Sequence, residues 1–485
     1  MLVSALAAVI IFIAGEARQR LRITVNLAAA LLKLALVIWI GLAVLAGEDF
    51  RYSFELVPGV ELILHADAMS ILFASLSAVL WLVTTIYAIA YLEHTPNRAR
   101  FFGFFSLCVS ATMGIALAGN LLTLFVFYEL LTLTTWPLVV HDGTPRALAA
   151  GRSYLRYTLV AGVLLLTAMI WLYGLTGNVV FTPGGIVAPL VETERTALQV
   201  IFVLLIAGFG VKAALVPLHG WLPKAMVAPA PVSALLHAVA VVKAGAFGIL
   251  RVIEDVYGHA VVVELGLQLP LIAVASWTIL IGSLLALREH HLKRRLAYST
   301  VSQVSYIVLG VAVGGVLATA GGMVHLVHQG LMKITLFFCA GTLGLLLGVH
   351  RIEQLDGLGR RMPWLGVSFT VAALGMMGMP PLVGFVSKWY LATGALAAGL
   401  PWLVAVLIGS ALLNAAYFLP LVRRLWLADH APLEDVPVAI NRISRLALVA
   451  TAVATALLSV ALGLFAAHPL SPLNWVLAIA RSYPS

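Results

Sequence analysis

Eight of the protonatable side chains inside long apolar runs of this sequence are candidates for chemistry: Glu129, Lys212, His237, Lys243, His325, His328, Lys333 and Lys388. Three of them fall in one stretch, FGVKAALVPLHGWLPKAMVAPAPVSALLHAVAVVKAG (209–245), where prolines also interrupt the apolar pattern. The way charge is partitioned says what chemistry such a set can do. Of the 20 acidic residues, 19 fall in loops or near the ends of apolar runs, and Glu129 alone is in the middle of one. None of the 22 arginines is in mid-run. Five of the seven lysines are inside runs (Lys33, Lys212, Lys243, Lys333 and Lys388), while Lys224 and Lys293 fall in loops. Arginine keeps its proton under essentially all conditions, whereas a buried lysine can surrender it. Fixed cations could be supplied by either residue. Loading and unloading protons requires groups that titrate, and ionisable residues at membrane depth are costly and usually functional.

Plainer readings stand beside this one. Lys33, alone in its run, reads as a lysine snorkelling to an interface or packed against one counter-ion. A single histidine in a helix is commonly a satisfied core residue. Here, however, His237 precedes Lys243 by six residues, and His325 and His328 precede Lys333 on a broad face of one helix. One acid followed by several bases gives a polar axis with the make-up of a proton relay.

The elements that must position this axis follow from composition. The chain has 485 residues, 62% of them hydrophobic and 10% charged, with a mean hydropathy of +1.06. A soluble protein of this size needs far more charge on its surface. Apolar runs long enough to cross a hydrocarbon core of ~30 Å recur from end to end, so the expected fold is an all-α membrane protein. Fourteen spans are expected, at about 2–15, 24–46, 66–92, 101–118, 120–140, 154–176, 197–219, 229–251, 268–287, 296–315, 319–347, 365–396, 402–426 and 446–467. Basic loops follow the odd-numbered spans (16–22, 94–100, 144–156, 288–295, 351–361 and 423–445), with Lys224 after span seven. The loops between, such as 47–61 and 252–264, are acidic or neutral. The positive-inside rule then puts both termini outside, or in the periplasm, of a cell (inner) membrane. The run Leu2–Ala14 lacks a preceding basic region and a small-residue cleavage site, so it reads as a span and not as a removable signal.

Two spans are broken. Pro217 and Pro223 interrupt span seven after Lys212, and Pro380 and Pro381 interrupt span twelve ahead of Lys388. Proline removes a backbone donor and kinks a helix, and a bilayer tolerates that only where protein or water satisfies the freed groups. Broken helices five spans apart point to an inverted repeat around a polar pathway. The organisation expected is N-terminal spans one to three (1–100), a first five-helix unit (101–251, spans four to eight), a second (268–426, spans nine to thirteen), then span fourteen with a short tail (446–485).

Other function classes lose support. Cys108 and Cys339 lack partners at metal or redox spacing, which argues against a disulfide framework, an iron–sulfur cluster or a zinc site. No phosphate-binding G-x-x-x-x-G-K-[ST] loop, dinucleotide fingerprint or haem motif is legible, so no cofactor is expected and no redox or hydrolytic centre. The net charge of +9 is spread over short loops and gives no reason to propose nucleic acid. The driving energy must come from an ion gradient or a partner subunit.

Several segments carry a resemblance: the stretch from Val211 to Gly245, RRLAYSTVSQVSYIVLG (294–310), HLVHQGLMKITLFFCAG (325–341) and GMPPLVGFVSKWYL (378–391). Through them the chain resembles the antiporter-like family. That family is shared by multisubunit Mrp cation/proton antiporters, the proton-pumping membrane subunits of respiratory complex I and energy-converting hydrogenases. The wording VVKAGAFGILR is most similar to the Mrp antiporter component of type D. The resemblance implies that Glu129 is the family's span-five glutamate and Lys212 its partner on span seven. It makes Lys243 the connecting lysine, Lys333 the span-eleven lysine and Lys388 the terminal one. Many relatives have a histidine four residues before the span-eleven lysine; this chain has Gln329, with His328 beside it. The lateral C-terminal helix of the longest members is expected to be absent. The implied function is a proton-translocating subunit of a multisubunit cation/proton antiporter, partnered by other membrane subunits and exchanging protons for Na+ or another monovalent cation. Alternatives are a proton pump in a complex I-like or hydrogenase redox complex, and the membrane partner of an inorganic-carbon uptake complex.

Overall fold

The computed structural model describes residues 1–429 and 440–483. Among the described residues, twelve helices are long and apolar enough to cross a membrane. The short apolar helix Leu2–Ala14 and the broken pair Pro363–Met377 and Val383–Ala397 stand at spans one and twelve, so all fourteen expected spans are present in the expected order. The chain is a multi-pass, all-α integral membrane protein. Caps set many of the helix starts. Asn120 accepts from the Thr123 amide at 2.7 Å to open span five (Leu121–Val139), and Thr144 accepts from Ala147 at 3.1 Å ahead of Pro145 to open span six (Pro145–Thr176).

Burial orders the bundle. Every residue from 230 to 258 is buried, so span eight (Ala230–Tyr257) is wrapped on all sides. Span ten (Leu292–Val313) and span eleven (Gly315–Leu347) are nearly as enclosed. Spans two (Gln19–Leu45), thirteen (Trp402–Leu427) and fourteen (Arg442–Leu464) carry exposed apolar faces, as helices turned toward lipid or neighbouring subunits do.

The structure departs from the sequence reading in four places. The loop 47–61 contains most of a hairpin, β1 (Arg51–Val57) and β2 (Val60–His65), turned at Pro58–Gly59 with Gly59 at φ 79°. Proline followed by glycine favours such a tight turn. Its inner strand is tied to span five, the Ile63 amide donating to Thr123 Oγ1 at 2.7 Å. Span eight does not stop at 251, because Val252–Tyr257 continues it as π-helix. Arg251 is therefore buried inside it, held at 2.7 Å by both Asp67 and Asp255. Lys224 and Lys293, expected in loops, lie in helices. Lys224 is exposed, and Lys293 donates to the Ala228 carbonyl at 2.7 Å. The tail after span fourteen contains a helix, Pro472–Ser482, whose Trp475 donates to the Ala68 carbonyl at 3.0 Å. Part of the basic 423–445 segment, residues 430–439, lies outside the described residues.

Candidate functional site

Glu129 sits on span five beside span six. A Cβ on Gly162 would stand 2.9 Å from its Oε1, so this glycine makes room for the carboxylate. Oε1 is buried and finds no hydrogen-bond partner. Lys212 lies in the last turn of the helix Arg195–Ala213, where the negative pole of the helix favours a cation. The helix ends because Ala214 turns left-handed at φ 60°, and Trp221 reaches back to the Val211 carbonyl at 2.7 Å. Lys212 is fully buried, its Nζ donates to the Tyr128 carbonyl and stands 3.3 Å from the Tyr128 ring centroid. The expected Glu129–Lys212 ion pair is therefore not closed: Lys212 is bonded to the residue next to Glu129. The two side chains remain within Coulombic range of each other.

Gly245 lets spans seven and eight touch along their backbones; a Cβ there would meet the Lys212 carbonyl carbon at 2.8 Å. Two residues earlier, Lys243 is fully buried and its Nζ has no protein partner. His237 occupies a π-helical turn, Leu235–Val239, an interruption that frequently marks functional sites. Its ring stacks on Phe337 at 4.7 Å and both its nitrogens are unpartnered. Lys333 donates to the Leu296 carbonyl at 3.1 Å. Lys243 is in Coulombic range of both His325 and Lys333, and Lys333 of His237. His325 Nδ1 is 2.8 Å from Ser387 Oγ and its Nε2 is 3.2 Å from Gln303 Oε1. His328 keeps Nδ1 free, and neither polar atom of the Gln329 side chain is bonded. Lys388 closes the series: its Nζ donates to the Met376 and Met377 carbonyls at 2.7 and 3.1 Å, across the break in span twelve.

Charge alone did not reveal the rest of the network. Gln303 donates to Asn414 Oδ1 at 3.4 Å, Tyr417 donates to the same oxygen, and the Tyr417 hydroxyl meets Ser299 Oγ at 2.9 Å. His325 is thereby connected to spans ten, twelve and thirteen through uncharged groups. The signal was present as polar pairs one turn apart inside apolar runs, Ser299/Gln303 and Ser410/Asn414. Tyr306 adds a ring between His325, 5.2 Å away, and the Lys388 ammonium, 5.4 Å away. The arrangement can pass protons between titrating groups. No cluster of three or more histidine, cysteine or acidic side chains able to hold a metal occurs among the described residues.

Comparison with known proteins gives the family. The family described as NADH:quinone oxidoreductase/Mrp antiporter, TM, matches residues 118–413, which include all eight candidate side chains. The N subunit of the NADH-quinone oxidoreductase of Desulforudis audaxviator is 36% identical over 435 residues, covering 86% of this chain and 85% of the relative. The D-type component of the Na(+)/H(+) antiporter of Alkalihalophilus pseudofirmus is 29% identical over 357 residues, covering 73% and 70%. A chain of the Mrp complex from Dietzia sp. superposes with a TM-score of 0.86 at 27% identity, over 99% of this chain and 96% of that one. This chain belongs to the NADH:quinone oxidoreductase/Mrp antiporter transmembrane family, as an antiporter-type membrane subunit.

Proposed function

We propose that this chain translocates protons through the bilayer along Glu129, Lys212, Lys243, His325 and Lys388, with His237, His328 and Lys333 as side stations, in a multisubunit cation/proton antiporter. One observation carries the reading. Lys212, Lys243 and Lys333 are fully buried and Lys388 half-buried; Lys212, Lys333 and Lys388 are bonded to backbone carbonyls, Lys243 to no protein group, and His325 is joined to Ser387 and Gln303. Such groups exchange protons; they do not merely hold the fold together. In this reading Lys212 alternates between the Tyr128 carbonyl and Glu129. Loaded against the carboxylate, it keeps its proton; returned to the carbonyl, it passes the proton toward Lys243. Lys388, bonded to the carbonyl end of a half-helix at the break in span twelve, exchanges protons with one bulk phase.

The paired positions of the breaks in spans seven and twelve support reading 101–251 and 268–426 as inverted five-helix units. The alternation of basic loops supports a cell-membrane location with both termini outside. Partners are other membrane subunits, with Na+ or another monovalent cation as counter-substrate. The second reading, a proton-pumping subunit of a redox complex, is favoured by the higher identity to the N subunit. The subunits that co-purify separate the two: small hydrophobic proteins for the antiporter, iron–sulfur proteins for the redox complex. Proton flux into vesicles tests the shared mechanism. Glu129→Gln should assemble normally, as judged on native gels, and lose flux; normal flux would remove Glu129 from the path.

A further inference from the structure

Lys33 does not snorkel. It is 2% exposed, and its Nζ stands 4.2 Å from the Trp81 ring centroid on span three (Ala68–Tyr91) with no hydrogen-bond partner. The register between spans three and eight shows what lies beside it. The two helices run antiparallel. Arg251 meets Asp67 and Ser70, and four residues further in Phe247 meets Phe73 at 4.9 Å. One more turn inward along each helix brings Lys243 level with Ser77. Trp81 follows one turn later, carrying Lys33 against its ring. Lys243 Nζ, Ser77 Oγ, Trp81 Nε1 and Lys33 Nζ are all buried, and none is bonded to protein. Thr85 Oγ1, a turn beyond Trp81, is in the same state. Buried polar groups of this kind are satisfied by protein or by ordered water, and a run of them at single-turn intervals is a path water can bridge.

We propose that Lys33 is a lateral proton-holding station joined to Lys243 through water carried on Ser77 and Trp81. This rests on the reading of Lys243 as part of the proton path. The driving force is repulsion: Lys243, His325 and Lys333 lie within Coulombic range of one another or of a shared neighbour. When that group is loaded, a proton leaves the Lys243 ammonium, crosses by water and binds the Lys33 amine; it returns when the axis empties. Lys33 faces little competing charge. Span one brings the Met1 amino group into range. Span three offers Ser77, Trp81 and Thr85, none of which titrates. Span four meets this face through Ser106, which contacts Asn26 two turns away at 3.4 Å. Arg22 and Glu16, at the far end of span two, pair with each other at 3.6 Å.

The test is proton flux across a pH series in vesicles holding the intact complex. Lys33→Met keeps the length and apolar contact over Trp81, and should assemble normally with flux about tenfold lower. Lys33→His should restore part of the flux and move its pH dependence to the acid side, because a base has been returned with a different proton affinity. Ser77→Ala, which touches no charge, should lower flux with the same assembly. Lys33→Met flux matching wild type at every pH overturns the station, as does a loss that Lys33→His does not relieve. Lys212→Arg run alongside isolates the premise: if that variant transports normally the axis itself is wrong, whereas loss there with normal Lys33→Met flux rejects the branch alone.

Discussion

Lys212→Arg separates charge from proton transfer. Lys212 is fully buried, bonded to the Tyr128 carbonyl and 3.3 Å from that ring. A guanidinium can keep the charge, the carbonyl and the ring. Its added bulk meets a tight contact, because spans seven and eight already approach so closely that a Cβ on Gly245 would be 2.8 Å from the Lys212 carbonyl carbon. Overpacking of this sort costs ~1–3 kcal/mol, which a fourteen-span bundle with wild-type assembly elsewhere can absorb. The cost of proton release is greater. Arginine ordinarily releases its proton only about 5.5 units above neutrality. At ~1.36 kcal/mol per unit, release at pH 7 costs about 7.5 kcal/mol, a population of roughly one in several hundred thousand. The variant should therefore appear in the membrane at slightly reduced level, co-assemble on native gels, and show only background proton flux in vesicles. Near wild-type flux from an assembled Lys212→Arg complex would mean that the lysine is a fixed structural cation, and would refute the mechanism at its first step.

The other predictions concern the second half of the axis, the seat of Glu129 and the topology. The double change His325→Ala, His328→Ala should cost far more flux than either single change, with His325→Ala the worse single because it cuts the bonds to both Ser387 and Gln303; normal flux in the double variant would make both histidines core residues. Gly162→Ala places a Cβ 2.9 Å from Glu129 Oε1, so it should lower flux several-fold in the wild-type background and add little to Glu129→Gln; additive losses would mean the glycine matters only for packing. A cysteine at His290 should be labelled from the cytoplasmic side alone and one at Glu48 from the outside alone, and the reverse pattern would invert the topology.

The fourteen spans and their order were legible because apolar length and loop charge are independent signals that agree. The hairpin β1–β2 was missed because its glutamates made an amphiphilic ribbon look like an acidic loop; the Pro58–Gly59 turn between alternating residues was the overlooked cue. The continuation of span eight through Glu254 and Asp255 was legible only in part: the Arg251–Asp255 spacing of four residues is a local helical signal, whereas the contact with Asp67 is not. The helix bears those acids there because Arg251 supplies the counter-charge for Asp255, a contact that involves Asp67 from a distant segment. Individual candidate residues were legible because lysine and glutamate are rare inside apolar runs. Their partners were not. Whether Lys212 meets Glu129 or the Tyr128 carbonyl depends on side-chain placement, and so does the difference between a snorkelling Lys33 and a buried one. The His325–Gln303–Asn414–Tyr417 connection is built from neutral groups that a search for charge passes over.

Lys243→Met tests the central claim most directly. Lys243 Nζ is buried without a hydrogen-bond partner in the protein, so removing it breaks no bond between protein groups. A structural account therefore expects the variant to be as stable as wild type and to transport as well. The proton-relay account expects the same stability and assembly with proton flux at background, because the axis has lost the group between Lys212 and His325. Flux equal to wild type in assembled Lys243→Met complexes, measured in sealed vesicles, would contradict it.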